Sequence, residues 1–255
     1  MAITDNPQIG DSVSFGLTKS DVTWTAPIEG FYNIYCYGAK GGSGWGAAGV
    51  NGQGGGGSGG TGGSLRASTA FIAEGTVLNI RVGGQGENGA IGEENKRNAY
   101  GGWNGGASGN TEETWCDNEG WDHSGKAVSG GGGGGSYIQC NGVRIISAAG
   151  GKGGDASYVA HDGSGSAQGG AGGGTTTLSN ASGVQWLALT ADIDSSFVTN
   201  KIDTTSSGVR NGDGQVTITF AEYAFPKIYF NGEKLKKMKY NGKDVVKVYF
   251  NGMKL

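Results

Sequence analysis

Alternating apolar and polar positions mark short strands toward both ends of this chain. Residues 13–17 alternate, and Val22-Thr23-Trp24-Thr25 leads into Ala26-Pro27. After a turn at Glu29-Gly30, residues 31–37 set Phe31, Asn33, Tyr35 and Tyr37 on one face. Tyr32, Ile34 and Cys36 fall on the other, as strand geometry requires. Residues 76–82 place Val77, Asn79 and Arg81 against Leu78, Ile80 and Val82, the period-two signature of a half-buried strand. They are predicted to pair with residues 65–71 across a turn near Glu74-Gly75. Ser136-Tyr137-Ile138-Gln139 and Val143-Arg144-Ile145-Ile146 are further strands. Residues 215–220 close the series after the Asn211-Gly212-Asp213-Gly214 turn. The expected class is mainly β.

Glycine fills much of the space between these strands. Of 56 glycines in 255 residues, 46 lie between Gly38 and Gly174. Average usage is about 7%, so two accounts compete. A flexible linker would be glycine and serine with little else. A packed array of polyglycine-II helices would alternate glycine runs with strands that anchor it. Such helices have three residues per turn and no internal hydrogen bonds, so neighbours must satisfy every N–H and C=O. The regular interruption by strands favours the array. Residues 164–177 are the most linker-like stretch.

Composition narrows the class. Hydrophobic residues make up 35% and charged residues 16%, so an apolar core covers only part of the chain. No apolar run reaches the roughly 18 residues of a membrane span, and membrane insertion is not expected. Residues 1–6 lack the basic and apolar regions of a signal peptide, so synthesis in a cytoplasm without that export route is expected. Cys36, Cys116 and Cys140 form no close pair. Reduced thiols are the simple reading, and a Cys116–Cys140 bridge is the alternative.

One set of motifs resembles a known family. Trp24-Thr25-Ala26-Pro27, Gly30, Tyr32 and Ile34, followed by Gly38-Ala39 and Gly41-Gly42, are similar to the opening of the glycine-rich domain of the anaplastic and leukocyte lymphoma receptor kinases. Similar domains occur in bacterial and bacteriophage surface proteins. Further matches are Leu78, Ile80, Val82-Gly83-Gly84 and Gly86, then residues 101–106. After an insertion at about 107–129 come residues 132–136 and 144–151. The resemblance covers roughly residues 13–221. It implies a jelly-roll-like β framework carrying packed polyglycine-II helices in a domain of residues 1–224.

The chain changes character at Phe225-Pro226. Residues 225–255 hold three ten-residue units, each a basic residue, an apolar-aromatic strand and Asn-Gly. Asn-Gly between such strands is a strong hairpin signal, because type I′ turns need φ > 0 at both positions. Phe230, Tyr240 and Phe250, with Asn231, Asn241 and Asn251, are the candidate assembly residues, since a repeat of this size needs stacking neighbours. These units resemble aromatic-Asn-Gly repeats of bacteriophage structural proteins, which implies homo-oligomers, with a trimer favoured, and other virion proteins as partners. Eight lysines against Glu233 and Asp244 leave residues 227–255 six positive. Since the chain totals −3, the rest carries −9. The lysines read either as edge protection or as docking onto an acidic surface. Arginine is absent there and the whole chain is acidic, so nucleic acid is not an expected partner.

Two motifs look chemical. Residues 84–89 spell G-x-G-x-x-G after a strand, but polar residues 90–100 supply no amphipathic helix to complete a dinucleotide site. Residues 56–60 match a nucleophile-elbow pattern that glycine runs produce by chance. Glu112, Glu113, Asp117, Glu119, Asp122 and His123 crowd the insertion without a calcium-loop pattern and read as solvated charge. No catalytic residue, metal or cofactor is expected. The candidate ligand contacts are the aromatics outside predicted strands: Trp45, Tyr100, Trp103, Trp115 and Trp121. Flat rings among polar neighbours suit a host-surface glycan or protein; the same rings would also serve to cap a glycine array. Together with the resemblance, the expectation is a bacteriophage virion protein, a tail-tip or fibre component for non-catalytic host recognition. A capsid fibre or decoration protein without receptor affinity and a bacterial surface adhesin are the alternatives.

Overall fold

The computed structural model describes residues 3, 5–48, 56–89, 99–114, 117–118, 121–122, 125–160, 163–190 and 198–224. In the C-terminal stretch it describes 229–230, 233–234, 239–240, 243–244, 249–250 and 253–254. It is mainly β, with no helix among the described residues.

Two antiparallel sheets form the framework. The first runs Ser12–Phe15, Gln215–Tyr223, Gly30–Tyr37, Gly63–Ile72 and Val184–Trp186 from edge to edge, with Asp203–Arg210 also on Gly63–Ile72. The second runs Thr177–Leu178, Val143–Ala148, Ser136–Cys140, Val77–Arg81 and Val22–Thr25. Period-two alternation turns Tyr32, Ile34, Cys36, Val216, Ile218 and Phe220 of the first sheet inward. They meet Leu78, Ile80, Ile138, Ile145 and Ile146 of the second in one buried core. Tyr32 sits edge-on to Trp24 and Phe220, with ring centroids 5.7 and 5.4 Å away. Its hydroxyl donates to the Ile28 carbonyl at 2.8 Å, which removes the cost of burying that polar group.

The predicted pairing of residues 65–71 with 76–82 does not occur. Gly63–Ile72 belongs to the first sheet and Val77–Arg81 to the second. The turn at Glu74-Gly75, with Gly75 at φ 77°, carries the chain from one sheet to the other. Both runs have an apolar face, and each buries it from its own side of the core. The outer face of Gly30–Tyr37 is also covered: Phe31 packs with Val198, Ala221 and Leu187. Asn33 Nδ2 donates to the Asn200 carbonyl at 2.9 Å, and Thr69 Oγ1 donates to Asn33 Oδ1 at 2.6 Å. Residues 198–202 thus strap this face.

The glycine segments extend from one end of the framework. Their amides repeat in direction every third residue. The N–H groups of Gly130 and Gly133 donate to Gly154 and Gly151, those of Gly131 and Gly134 to Glu87 and Gly84, and those of Gly132 and Gly135 to Ala107 and Asn104. In residues 38–44, Gly38, Gly41 and Gly44 donate to Ser64, Thr61 and Ser58, while Ala39 and Gly42 donate to Gly134 and Gly131. Each segment is therefore bonded to several neighbours, and the lateral spacing leaves no room for side chains. A Cβ on Gly132 would overlap the Ala171 carbonyl oxygen, and one on Gly42 the Glu87 carbonyl oxygen. Residues 168–174, part of the stretch 164–177 that looks most linker-like in the sequence, take part in the bundle: Gly170 and Gly173 donate to Gly130 and Gly133. Glycine and alanine give them a linker-like composition, but these small residues are what fits between closely spaced backbones.

The far end of the bundle carries two small sheets. In one, Gly125–Val128 lies between Trp45–Ala48 and Thr111–Thr114. In the other, Ala156–Ala160 lies between Gly163–Ala167 and Gly56–Gly57. Ala127 of the first packs with Ala156, Tyr158 and Ala167 of the second in a separate buried cluster. In the C-terminal repeats, Phe230 pairs with Glu233, Tyr240 with Lys243 and Phe250 with Met253. Each pairing spans two residues, as the hairpin signal predicts; Asn231, Asn241 and Asn251 lie outside the described residues.

Candidate binding surfaces

The described parts of the insertion pair antiparallel. Thr111 pairs with Val128 and Thr114 with Gly125, then Asp117 with Asp122 and Asn118 with Trp121. Partner numbers add to the same value at all four places. The insertion's inner end is fixed to the bundle. Ser129 N donates to the Asn110 carbonyl at 3.0 Å, and Ser129 Oγ donates to the Gln168 carbonyl at 2.6 Å. The Asn110 amide in turn donates to Ser129 Oγ at 2.7 Å. A second hairpin, residues 156–167, stands beside it. Its Gly-Ser strand Gly163–Ala167 was hidden from sequence reasoning, and only Ala156-Ser157-Tyr158 hinted at alternation.

The base of this second hairpin is pinned by charge. The Asp155 carboxylate accepts from the Gly169 amide at 2.8 Å and from Lys152 Nζ at 2.9 Å. The Gly169 bond first, and Lys152 after it, hold this carboxyl below the usual carboxylate range.

Among the described candidates, Trp45 and Trp103 lie at opposite ends of the bundle. Trp45 is half-buried in the strand Trp45–Ala48, opposite Val128. Trp121 lies in the outer part of the insertion hairpin, and Trp115 lies outside the described residues. Both tryptophans that read from sequence as loop residues and are described at this end therefore sit in strands: short glycine-flanked strands carry too little alternation to be seen. Trp103 is at the framework end. Its carbonyl accepts from the Gly84 amide at 3.0 Å, level with Gly134 and Ala39. Trp103 is 47% exposed and Tyr100 50%. The turn at Trp103 is held by Asn104 at φ 70° and Gly105 at φ 93°.

The motif at residues 84–89 runs within the bundle, bonded to Trp103, Lys40, Tyr100 and Ser43; residues 90–98, which follow it, lie outside the described residues. A group of metal-ligating side chains does not occur among the described residues. Cys36 and Cys140 are buried free thiols; Cys116 lies outside the described residues. No protein-family model matches the sequence, and no curated protein matches it.

Proposed function

We propose that this protein is a bacteriophage virion component, of a tail tip or fibre, that recognises a host-surface glycan or protein without catalysis. The observation that carries this reading is the division of the chain. A scaffold bonded backbone to backbone carries, at its end away from the framework, two small sheets, Gly125–Val128 between Trp45–Ala48 and Thr111–Thr114, and Ala156–Ala160 between Gly163–Ala167 and Gly56–Gly57. Connecting segments at such an edge vary in sequence more readily than the scaffold they extend. The glycine segments are proposed to be polyglycine-II helices; the three-residue repeat of amide direction supports this. Residues 225–255 are proposed to assemble the chain, as a trimer, because two-stranded hairpins alone are marginal in water. Solution mass of the full chain against residues 1–224 checks that assembly role; two monomers would overturn it.

The recognition test is a Trp115→Ala, Trp121→Ala double variant. The intact protein is expected to bind cells or extracted envelope glycans of some members of a panel of Gram-negative and Gram-positive bacteria. The double variant should melt normally and bind at least roughly tenfold more weakly, about 1.4 kcal/mol. Unchanged binding with a normal melting curve moves the contact surface elsewhere. Binding to none of the panel favours a decoration protein without receptor affinity.

A further inference from the structure

We propose a second binding site, for a single sugar ring bearing an anionic group, in a cleft where the glycine bundle meets the second sheet. It lies at the opposite end of the bundle from the hairpins and does not depend on their role. The cleft encloses about 200 Å³. Pockets for drug-sized ligands hold about 300–1,000 Å³, so this one has room for one ring and its substituent.

The charge of the lining selects the ligand. Arg144 is the cation of the lining, and no aspartate or glutamate is part of it. In a protein with net charge −3, this is a local reversal of sign. The Arg144 guanidinium carbon lies 4.2 Å from the centre of the Tyr137 ring. Stacking of this kind holds the planar group in place and leaves its N–H donors for a carboxylate or phosphate. Arg81, 5.7 Å from the same ring, is already committed to Asp21 at 2.7 Å. Arg144 forms no ion pair among the described residues.

The rest of the lining is polar and held in place. Asn104, in the left-handed region at φ 70°, donates from Nδ2 to the Gly135 carbonyl at 2.6 Å. Ser147 Oγ lies 2.6 Å from the Thr175 carbonyl and 2.7 Å from Thr177 Oγ1. These bonds join the bundle's last turn to the strand Val143–Ala148, so the cleft is formed before any ligand arrives. Hydroxyl, amide and carbonyl groups beside one guanidinium match the hydroxyls and single charge of an acidic sugar.

The experiment is a titration of the full ¹⁵N-labelled protein with glucuronate, glucose 6-phosphate, glucose and inorganic phosphate, followed by amide shifts. At least one anionic sugar should saturate shifts around Tyr137, Arg144 and Thr175, with glucose at least about tenfold weaker. Preference for glucuronate assigns a carboxylate, and preference for glucose 6-phosphate a phosphate. Arg144→Gln should weaken the preferred anionic sugar about tenfold and leave glucose unchanged. The proposal is overturned if glucose binds as tightly as both anionic sugars, if neither anionic sugar saturates, or if Arg144→Gln retains full affinity. It is overturned equally if inorganic phosphate binds as tightly as the preferred sugar, since the ring would then contribute nothing. The wild-type ranking decides the matter even if the variant does not fold.

Discussion

The framework and the glycine bundle solve the same problem with opposite means. In the framework, large side chains such as Trp186, Tyr32, Phe220 and Ile138 fill the space between two sheets, and burial of apolar surface is the driving term. In the bundle, backbone carbonyls occupy the positions that side chains would need. Its cohesion comes from hydrogen bonds such as Gly131 to Glu87 at 2.9 Å and Gly154 to Gly42 at 2.7 Å. One region tolerates lost volume at a moderate cost, while the other has no tolerance for added volume where its backbones face one another. Glycine's large entropy loss on folding is offset only because the bonds run to several neighbours at once.

The sharpest way to break this comparison is to change one or two carbons in each region. Gly132→Ala adds a methyl that would overlap the Ala171 carbonyl oxygen, and Gly170 stands close behind it. Backbone on every side cannot give way like a flexible side chain, so a loss of about 3 kcal/mol is expected. Ile138→Val removes one methylene from the fully buried core and should cost about 1 kcal/mol. Denaturant unfolding of the two variants measures both. If Gly132→Ala proves the milder change, the segments are not packed backbone to backbone.

The regions should also part company at high pH. Cys36 is fully buried among the framework's apolar side chains. Burial pushes its thiol up to about 12, and its Sγ donates to the Ser136 carbonyl at 3.3 Å. A raised folded pKa gives stability that is complete below the ordinary thiol range, about 8.5. That contribution fades as pH climbs toward about 12. Burial raises the Tyr32 hydroxyl as well, so the same sign applies there above the ordinary tyrosine range. Alkaline unfolding should therefore start in the framework. Mass-mapped iodoacetamide labelling at rising pH should leave Cys36 unmodified until the sheets open. Modification of Cys36 at pH 8, in protein with an unchanged near-ultraviolet spectrum, would contradict the closed core.

The sequence was legible where its period was two. Residues 31–37, 76–82 and 215–220 announced strands, because one face of each meets the same core. Pairing partners were not legible: residues 65–71 and 76–82 read as a hairpin, yet they belong to facing sheets, and alternation alone does not tell the two apart. The insertion's limits, about 107–129, came from its interruption of glycine motifs, and the paired strands Thr111–Thr114 and Gly125–Val128 fall inside them. The strand Gly163–Ala167 was invisible, since glycine and serine carry no alternation. Arg144 and Tyr137 gave no signal as a pair either. They sit on neighbouring strands, and only the antiparallel register of Ser136–Cys140 with Val143–Ala148 brings them together.

The smallest expected effect is also the most discriminating, because it compares adjacent residues. A Cβ on Gly59 would meet nothing within 4 Å, and its backbone lies outside the left-handed region. A Cβ on Gly60 would overlap the Gly41 carbonyl oxygen. If glycine in these segments served flexibility, alanine at either position would have the same consequence. If it serves close approach, the two substitutions differ in sign. Gly59→Ala should stabilise by about 0.4–1 kcal/mol, because alanine narrows the unfolded ensemble without straining the folded chain. Gly60→Ala should destabilise by more than about 1 kcal/mol, through displaced backbone at residues 41–42. Thermal melts of the two variants side by side, with hydrogen exchange at the Gly41 and Gly42 amides, measure this directly. Equal shifts of the same sign would show that the segment 58–64 is not seated against 38–44, and the packed-bundle account would fail at its edge.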